Sequence, residues 1–117
     1  MEGYDRLLER MRKAGAPDPS FDQQIWILLR NDYAARDPIE VGLRPFGSSL
    51  EAARDLFRCV LPEYRLRLDL ADTYDQVSAL SERGAAVTGW RGDAGQAAFG
   101  ICIVLLELMA RKPRPSG

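Results

Sequence analysis

The chain has no histidine at all. That removes the commonest general base and the commonest metal ligand together, and with them every cysteine–histidine nucleophile arrangement. Cysteine occurs twice, as Cys59 and Cys102, too few for a four-cysteine zinc site. Both fall on apolar faces of predicted helices and read as reduced, buried, small hydrophobes, with no disulfide expected. Lysine is nearly absent: the 16 basic residues are 14 arginines and 2 lysines. Arginine suits bidentate contact with carboxylates and phosphates, but 14 alanines point to a GC-rich genome as the simpler source of the bias. An excess of one charge is missing too. Sixteen bases against 17 acids leave a net charge of −1, so the strongly basic footprint of most nucleic-acid binders is lacking. There is no apolar run long enough for a membrane. The most apolar stretch, Ala97–Met109, contains Gly100 and Glu107, falls short of the roughly 20 residues a span needs, and reads as a buried helix. The first residues, MEGYDRLLERMRK, alternate acid and base with no apolar core, so they do not read as a secretory signal, and a cytoplasmic location is expected.

What remains is an ordinary globular composition: 117 residues, 46% apolar and 28% charged. That is one domain, expected over residues 1–112, with 113–117 as a disordered tail. Tyr4, Leu7, Leu8 and Met11 share one face of a predicted helix over 3–14, which Gly15 closes in a left-handed cap. A second helix is predicted from Phe21 to Arg30, with Ser20 and Gln23 as a capping box and Phe21, Ile25, Leu28 and Leu29 as its buried stripe. Trp26 and Ile27 lie off that stripe. Residues 31–48 read as a long connection that hides a short edge strand at Ile39–Val41 or Gly42–Arg44. Ser48 and Glu51 then open a third helix, stopped by Pro62.

Tyr64–Leu70 is the clearest strand. Tyr64, Leu66, Leu68 and Leu70 point one way, and Arg65, Arg67 and Asp69 the other. Residues 71–84 fit helix and strand equally. Ala85–Trp90 reads as a further strand, antiparallel to the first. Asp93 and Gln96 form a third capping box for a final helix reaching Arg111, apolar around most of its circumference and so covered on several sides. The fold class expected is α+β: a small antiparallel meander of two or three strands packed by helices, with the C-terminal helix buried at the centre.

This ordered set resembles the phage ABA sandwich domain family, small proteins encoded mostly by bacteriophages and prophages. The likeness lies in Leu7-Leu8-Glu9-Arg10 with Gly15-Ala16-Pro17-Asp18, Phe21-Asp22-Gln23-Gln24-Ile25, Ser48-Ser49-Leu50-Glu51-Ala52-Ala53, Pro62-Glu63-Tyr64 and the helix from Ala97 to Arg111, and it covers roughly residues 5–112. Tyr64 stands where the family pattern has Gly-Trp, and the 71–84 segment is longer than usual. The resemblance implies an α/β/α-type sandwich and a phage gene. It brings no catalytic residues with it.

Chemistry-bearing clusters are few. Asp69, Asp72 and Asp75 around one strand end could hold a divalent cation through oxygen, yet the loop lacks the glycine of a calcium loop and reads more simply as a solvated turn. Gly84, Gly89, Gly92 and Gly95 precede the last helix, but no phosphate-loop pattern accompanies them, and Asp93 at the cap would repel an anion. Arg91-Gly92-Asp93, the tripeptide that integrins read, is most simply a turn plus a cap. No enzyme activity, metal or cofactor is expected. The candidate partner-binding residues are Trp26, Trp90 and Arg91, residue types that dominate interfaces, together with Arg65, Arg67, Asp69, Asp72 and Asp75.

Two functions follow. The first is a phage-encoded inhibitor of a host antiviral defence, of the anti-CRISPR type, that occludes a host protein or ribonucleoprotein complex. Asp69, Asp72 and Asp75 would mimic phosphates in it, which requires them exposed and unpaired. The alternative is a nucleic-acid-associated accessory protein that uses the arginine-bearing face of the sheet. A homodimer is compatible with the edge strand and the aromatic residues.

Overall fold

The computed structural model describes residues 3–32 and 42–111. The expected strand at Ile39–Val41 and the tail beyond Lys112 lie outside the described residues. Gly42–Arg44 is not a strand.

The chain runs α1 (Tyr4–Ala14), α2 (Pro19–Asn31), α3 (Leu50–Val60), β1 (Arg65–Leu70), β2 (Tyr74–Leu80), β3 (Ala86–Asp93) and α4 (Ala97–Arg111). It is the α+β arrangement that the patterning indicates. In α1, Tyr4, Leu7, Leu8 and Met11 are buried, and Gly15 closes the helix at φ +65°, donating its N–H to the Met11 carbonyl. α2 begins two residues earlier than its pattern predicts. Asp18, not Ser20, is the N-cap, its carboxylate accepting from the Ser20 N–H at 2.8 Å. Pro19, which looks like a stop signal, sits in the first turn, where a missing N–H costs nothing. α3 is shifted in the same way: Ser49, not Ser48, takes the Ala52 N–H, because Ser48 still belongs to the turn before it.

The ambiguous segment resolves as β2. It pairs antiparallel with β1 (Arg65↔Leu80 to Leu70↔Asp75) and with β3 (Tyr74↔Asp93 to Ala79↔Thr88), with a bulge at Leu80. The sheet order is β1-β2-β3. Alternation decides the matter: Asp75, Val77 and Ala79 are buried, while Tyr74, Gln76, Ser78 and Leu80 are half-buried on the other face. A helix could not place every second residue inside.

Twelve of the fifteen residues of α4 are buried, as an all-round apolar helix requires. α1 and α3 pack on one side of it, and β2 and β3 on the other. The layers therefore run from α1 and α3 through α4 to the sheet. Among the described residues, α4 is the helix that packs on the sheet, and no helix packs on its outer face.

α4 starts later than expected because β3 runs on through Arg91, Gly92 and Asp93, which pair with Gln76, Asp75 and Tyr74. Asp93 is thus a strand residue and not the cap, and the Arg-Gly-Asp tripeptide is part of a ladder and not a free turn. The cap comes from another strand. The Asp75 carboxylate accepts the Gly95 N–H at 2.9 Å and the Ala97 N–H at 3.0 Å. A negative charge at the positive end of a helix is favourable.

Candidate functional site

The inner face of β2 and β3 is spent on packing. Trp90 points inward from β3 and meets Phe99 of α4 edge to face, with ring centroids 6.3 Å apart. Its ring lies against two glycines. A Cβ built on Gly92 would fall 2.3 Å from Trp90, and one on Gly100 2.2 Å from it. Trp90 is therefore mainly a packing residue, which corrects its reading as an interface anchor. Its indole would fill a slot that only hydrogen can border. Glu107 of α4 ties the same layers together. Its carboxylate accepts from the Thr88 hydroxyl and pairs with Arg12, with Arg111 at 3.9 Å.

Asp75 is likewise corrected. It is 4% exposed and occupied by the start of α4, so it can neither mimic a phosphate nor join a surface cation site. The helix N-terminus that looked like an anion cradle already holds this carboxylate. Asp69 lies on the outer face, 3.7 Å from Arg67 in a loose, exposed pair. Asp72 is exposed on the β1–β2 turn with no ion pair among the described residues. Among the described residues no three acidic or cysteine side chains gather closely enough to hold a metal ion. Trp26 sits away from the sheet on α2, half-buried, with the Arg30 guanidinium 5.9 Å above its ring.

Four of the expected residues do come together. Antiparallel register puts Arg65, Arg67 and Asp69 of β1 on the outer face beside Leu80, Ser78 and Gln76 of β2. Arg91 of β3 stands across Gln76 and stacks over the Tyr74 ring at 4.1 Å. The outer face thus carries Arg65, Arg67 and Arg91 with two acids, Asp69 and Asp93, one aromatic ring, and the hydrogen-bonding Ser78 and Gln76 between them.

The sequence reading missed the neighbouring groove. Between α3 and β1 lies a cleft of about 450 Å³ lined by Arg54, Phe57, Arg58, Tyr64, Arg65, Leu66 and Leu68. Its floor is apolar and its charged lining is all basic. Arg54, Arg58 and Arg65 make no ion pair among the described residues. The signal was present in the i, i+4 spacing of Arg54 and Arg58, one helical turn apart on the exposed side of α3. Nothing in the sequence said that this side would border β1.

One buried acid and one buried thiol complete the inventory. Asp22 accepts the Gly47 N–H at 2.8 Å, and burial raises its pKa above the usual aspartate value despite that bond. Burial also pushes the Cys102 thiol up, away from thiolate chemistry.

The described residues define a small α+β domain with a helical core and one open antiparallel sheet face. No family model, no curated protein and no solved structure matches this chain. No helix among the described residues is long and apolar enough to cross a membrane.

Proposed function

We propose that the protein is a non-catalytic binding module that holds single-stranded nucleic acid on the outer face of its sheet. The observation that carries this reading is the convergence of Arg65, Arg67 and Arg91 on a face with no helix over it among the described residues. Guanidinium groups supply phosphate contacts. Tyr74, already stacked under Arg91, supplies a ring for a base. Arg54 and Arg58 extend the basic surface round the β1 edge. With Asp75 withdrawn from the surface, three arginines face Asp69 and Asp93, a local excess of one positive charge that is compatible with a net charge of −1.

The test is fluorescence anisotropy with labelled 20-nucleotide DNA and RNA strands. About three phosphate contacts predict a log–log salt slope near −2, hence an affinity about 15-fold weaker at 200 mM than at 50 mM salt. Arg65→Glu with Arg67→Glu should weaken binding at least tenfold. Absence of binding at 50 mM salt refutes the reading.

Exposed Asp72, with Asp69 near it, favours a second reading: occlusion of a host protein or ribonucleoprotein in the bacterial cytoplasm, as a phage inhibitor of antiviral defence of the anti-CRISPR type would do. Of its three acidic residues, Asp72 is the one both exposed and without an ion pair among the described residues, since Asp69 pairs with Arg67. A pull-down from bacterial lysate that recovers one stoichiometric protein complex, in a chain that binds no free nucleic acid, would favour this reading.

A further inference from the structure

The two sheet edges are treated differently. At β3, Arg111 donates to the outward Val87 carbonyl at 3.4 Å, and the bulge at Leu80 disturbs the ladder beside it. β1 has no such guard among the described residues. Ala71 donates its N–H to the Tyr74 carbonyl at 2.9 Å, which fixes the phase of the β1–β2 ladder. In an antiparallel pair the bonding residues alternate, so Asp69, Arg67 and Arg65 turn their backbone groups toward β2. Leu66, Leu68 and Leu70 turn theirs to the free edge. Leu70 is also the most exposed large apolar residue of the described chain, at 58%. The core does not account for it.

We propose that the occupant of this edge is a second copy of the same chain, with β1 pairing antiparallel to β1 about a two-fold axis through Leu68. That register places Leu68 opposite its own copy and Leu66 opposite Leu70. These are the residues whose N–H and C=O groups are free, and they form about six inter-strand hydrogen bonds. On the outer face the same register sets Arg67 opposite Asp69 twice. The charge pattern of Arg67-Leu68-Asp69 is therefore complementary to itself about Leu68 and to no neighbouring register. On the inner face the leucines of the two copies form one row, the exposed Leu70 covering Leu66 of the partner above the apolar floor of the groove. Arg54 and Arg58, exposed at the rim, keep their long stems free to turn into water. The product is a continuous six-stranded sheet with both helical layers on one side, an isologous closed dimer. The inference is separable from what the outer face binds: Arg67 is shared by both, but Arg65 and Arg91 take no part in the pairing.

The experiment is light scattering coupled to size exclusion, with analytical ultracentrifugation for the dissociation constant. The expected result is a mass of twice 13.1 kDa, falling toward 13.1 kDa on dilution. Arg67→Asp alone and Asp69→Arg alone each put like charges opposite one another twice and should weaken association at least tenfold. The double swap R67D/D69R should return it to within about threefold of wild type. Circular dichroism of each variant separates dissociation from misfolding. Leu68→Cys in a Cys59→Ser background should form an intermolecular disulfide in air, because Cα atoms of a hydrogen-bonded pair stand about 5.5 Å apart. A chain that stays monomeric to about 500 μM overturns the proposal. So does a dimer indifferent to the single reversals, or one that the double swap fails to restore. A monomer that instead binds a peptide of alternating glutamate and leucine would assign the edge to a different protein, and that also overturns it.

Discussion

Replacing Gly100 by alanine should destabilise the protein, against the usual rule for a helix interior. Gly100 lies in the first turn and a half of α4. Exchanging a helical glycine for alanine normally gains about 1 kcal/mol. Here the new methyl would meet three atoms of Trp90 at 2.2, 2.7 and 2.7 Å. Ordinary carbon contacts begin near 3.5 Å, so the indole must retreat by about 1 Å. It has no room to do so along the strand, because Gly92 already stands against its other ring edge, where a Cβ would come to 2.3 Å. Overpacking of a fixed backbone position costs about 1–3 kcal/mol and occasionally more. Set against the helix gain, the net effect is a loss of up to about 2 kcal/mol. For a chain of 117 residues that lowers Tm by up to about 8 °C.

The assay is thermal and urea denaturation followed by circular dichroism, run as a double-mutant cycle. In a Trp90→Ala background the slot is empty, and Gly100→Ala should change sign and stabilise. The cycle isolates the Trp90–Gly100 contact from the helix propensity of either residue. If Gly100→Ala raises Tm in the wild-type background, the close approach of Trp90 to α4 is wrong. If the substitution behaves alike in both backgrounds, the effect does not come from the indole.

Two further substitutions probe the buried carboxylates. Asp75→Ala leaves the Gly95 and Ala97 N–H groups without their acceptor and should cost about 2 kcal/mol in urea denaturation; Asp75→Asn, which keeps one acceptor oxygen, should lose less, and equal losses would deny the cap. Asp22→Asn tests the raised pKa. Protonated Asp22 stabilises the fold below the ordinary aspartate value of 3.8, and that contribution is lost as pH rises through the raised native value. Asparagine can still accept from Gly47 and does not ionise, so the variant should gain on wild type between about pH 4 and neutrality. A difference in stability that is flat from pH 3 to 7 would show that Asp22 does not titrate abnormally.

The helices were legible because each carries its own period. Tyr4, Leu7, Leu8 and Met11 announce one face without help from the rest of the chain, and the unbroken apolar content of α4 announces its central position. The caps misled by one or two residues. Asp18 and Ser20, or Ser48 and Ser49, offer equivalent oxygens, and the choice between them depends on where the preceding turn ends. β2 could not be read because Tyr74, Val77 and Leu80 satisfy a helical period by accident; the strands on either side decide against it. Asp93 was a well-formed cap signal in the wrong place, since β3 needed those residues to complete its pairing with Tyr74 and Asp75. The outer face was half legible. Arg65 and Arg67 show it within one strand, whereas Arg91 joins them only through the register across β2, and Arg54 and Arg58 only through the packing of α3 beside β1.

The position of α4 governs what is left for function. A helix covered by α1 and α3 on one side and by β2 and β3 on the other uses the inner face of those two strands, down to a tryptophan seated between two glycines. That part of the face can bind nothing without opening the core. The surfaces free of packing duty are the outer sheet face and the β1 edge, and these hold the residues that packing does not explain: Arg65, without an ion pair among the described residues, stacked Arg91 and exposed Leu70. A sheet of three strands is small, close to the minimum for independent stability. Pairing through β1 would double its width while leaving Arg65 and Arg91 of both copies on one surface. Edge and face therefore make separable demands. Charge reversal at Asp69 should be felt in the mass of the particle, reversal at Arg67 in both mass and ligand binding, and reversal at Arg91 in ligand binding alone.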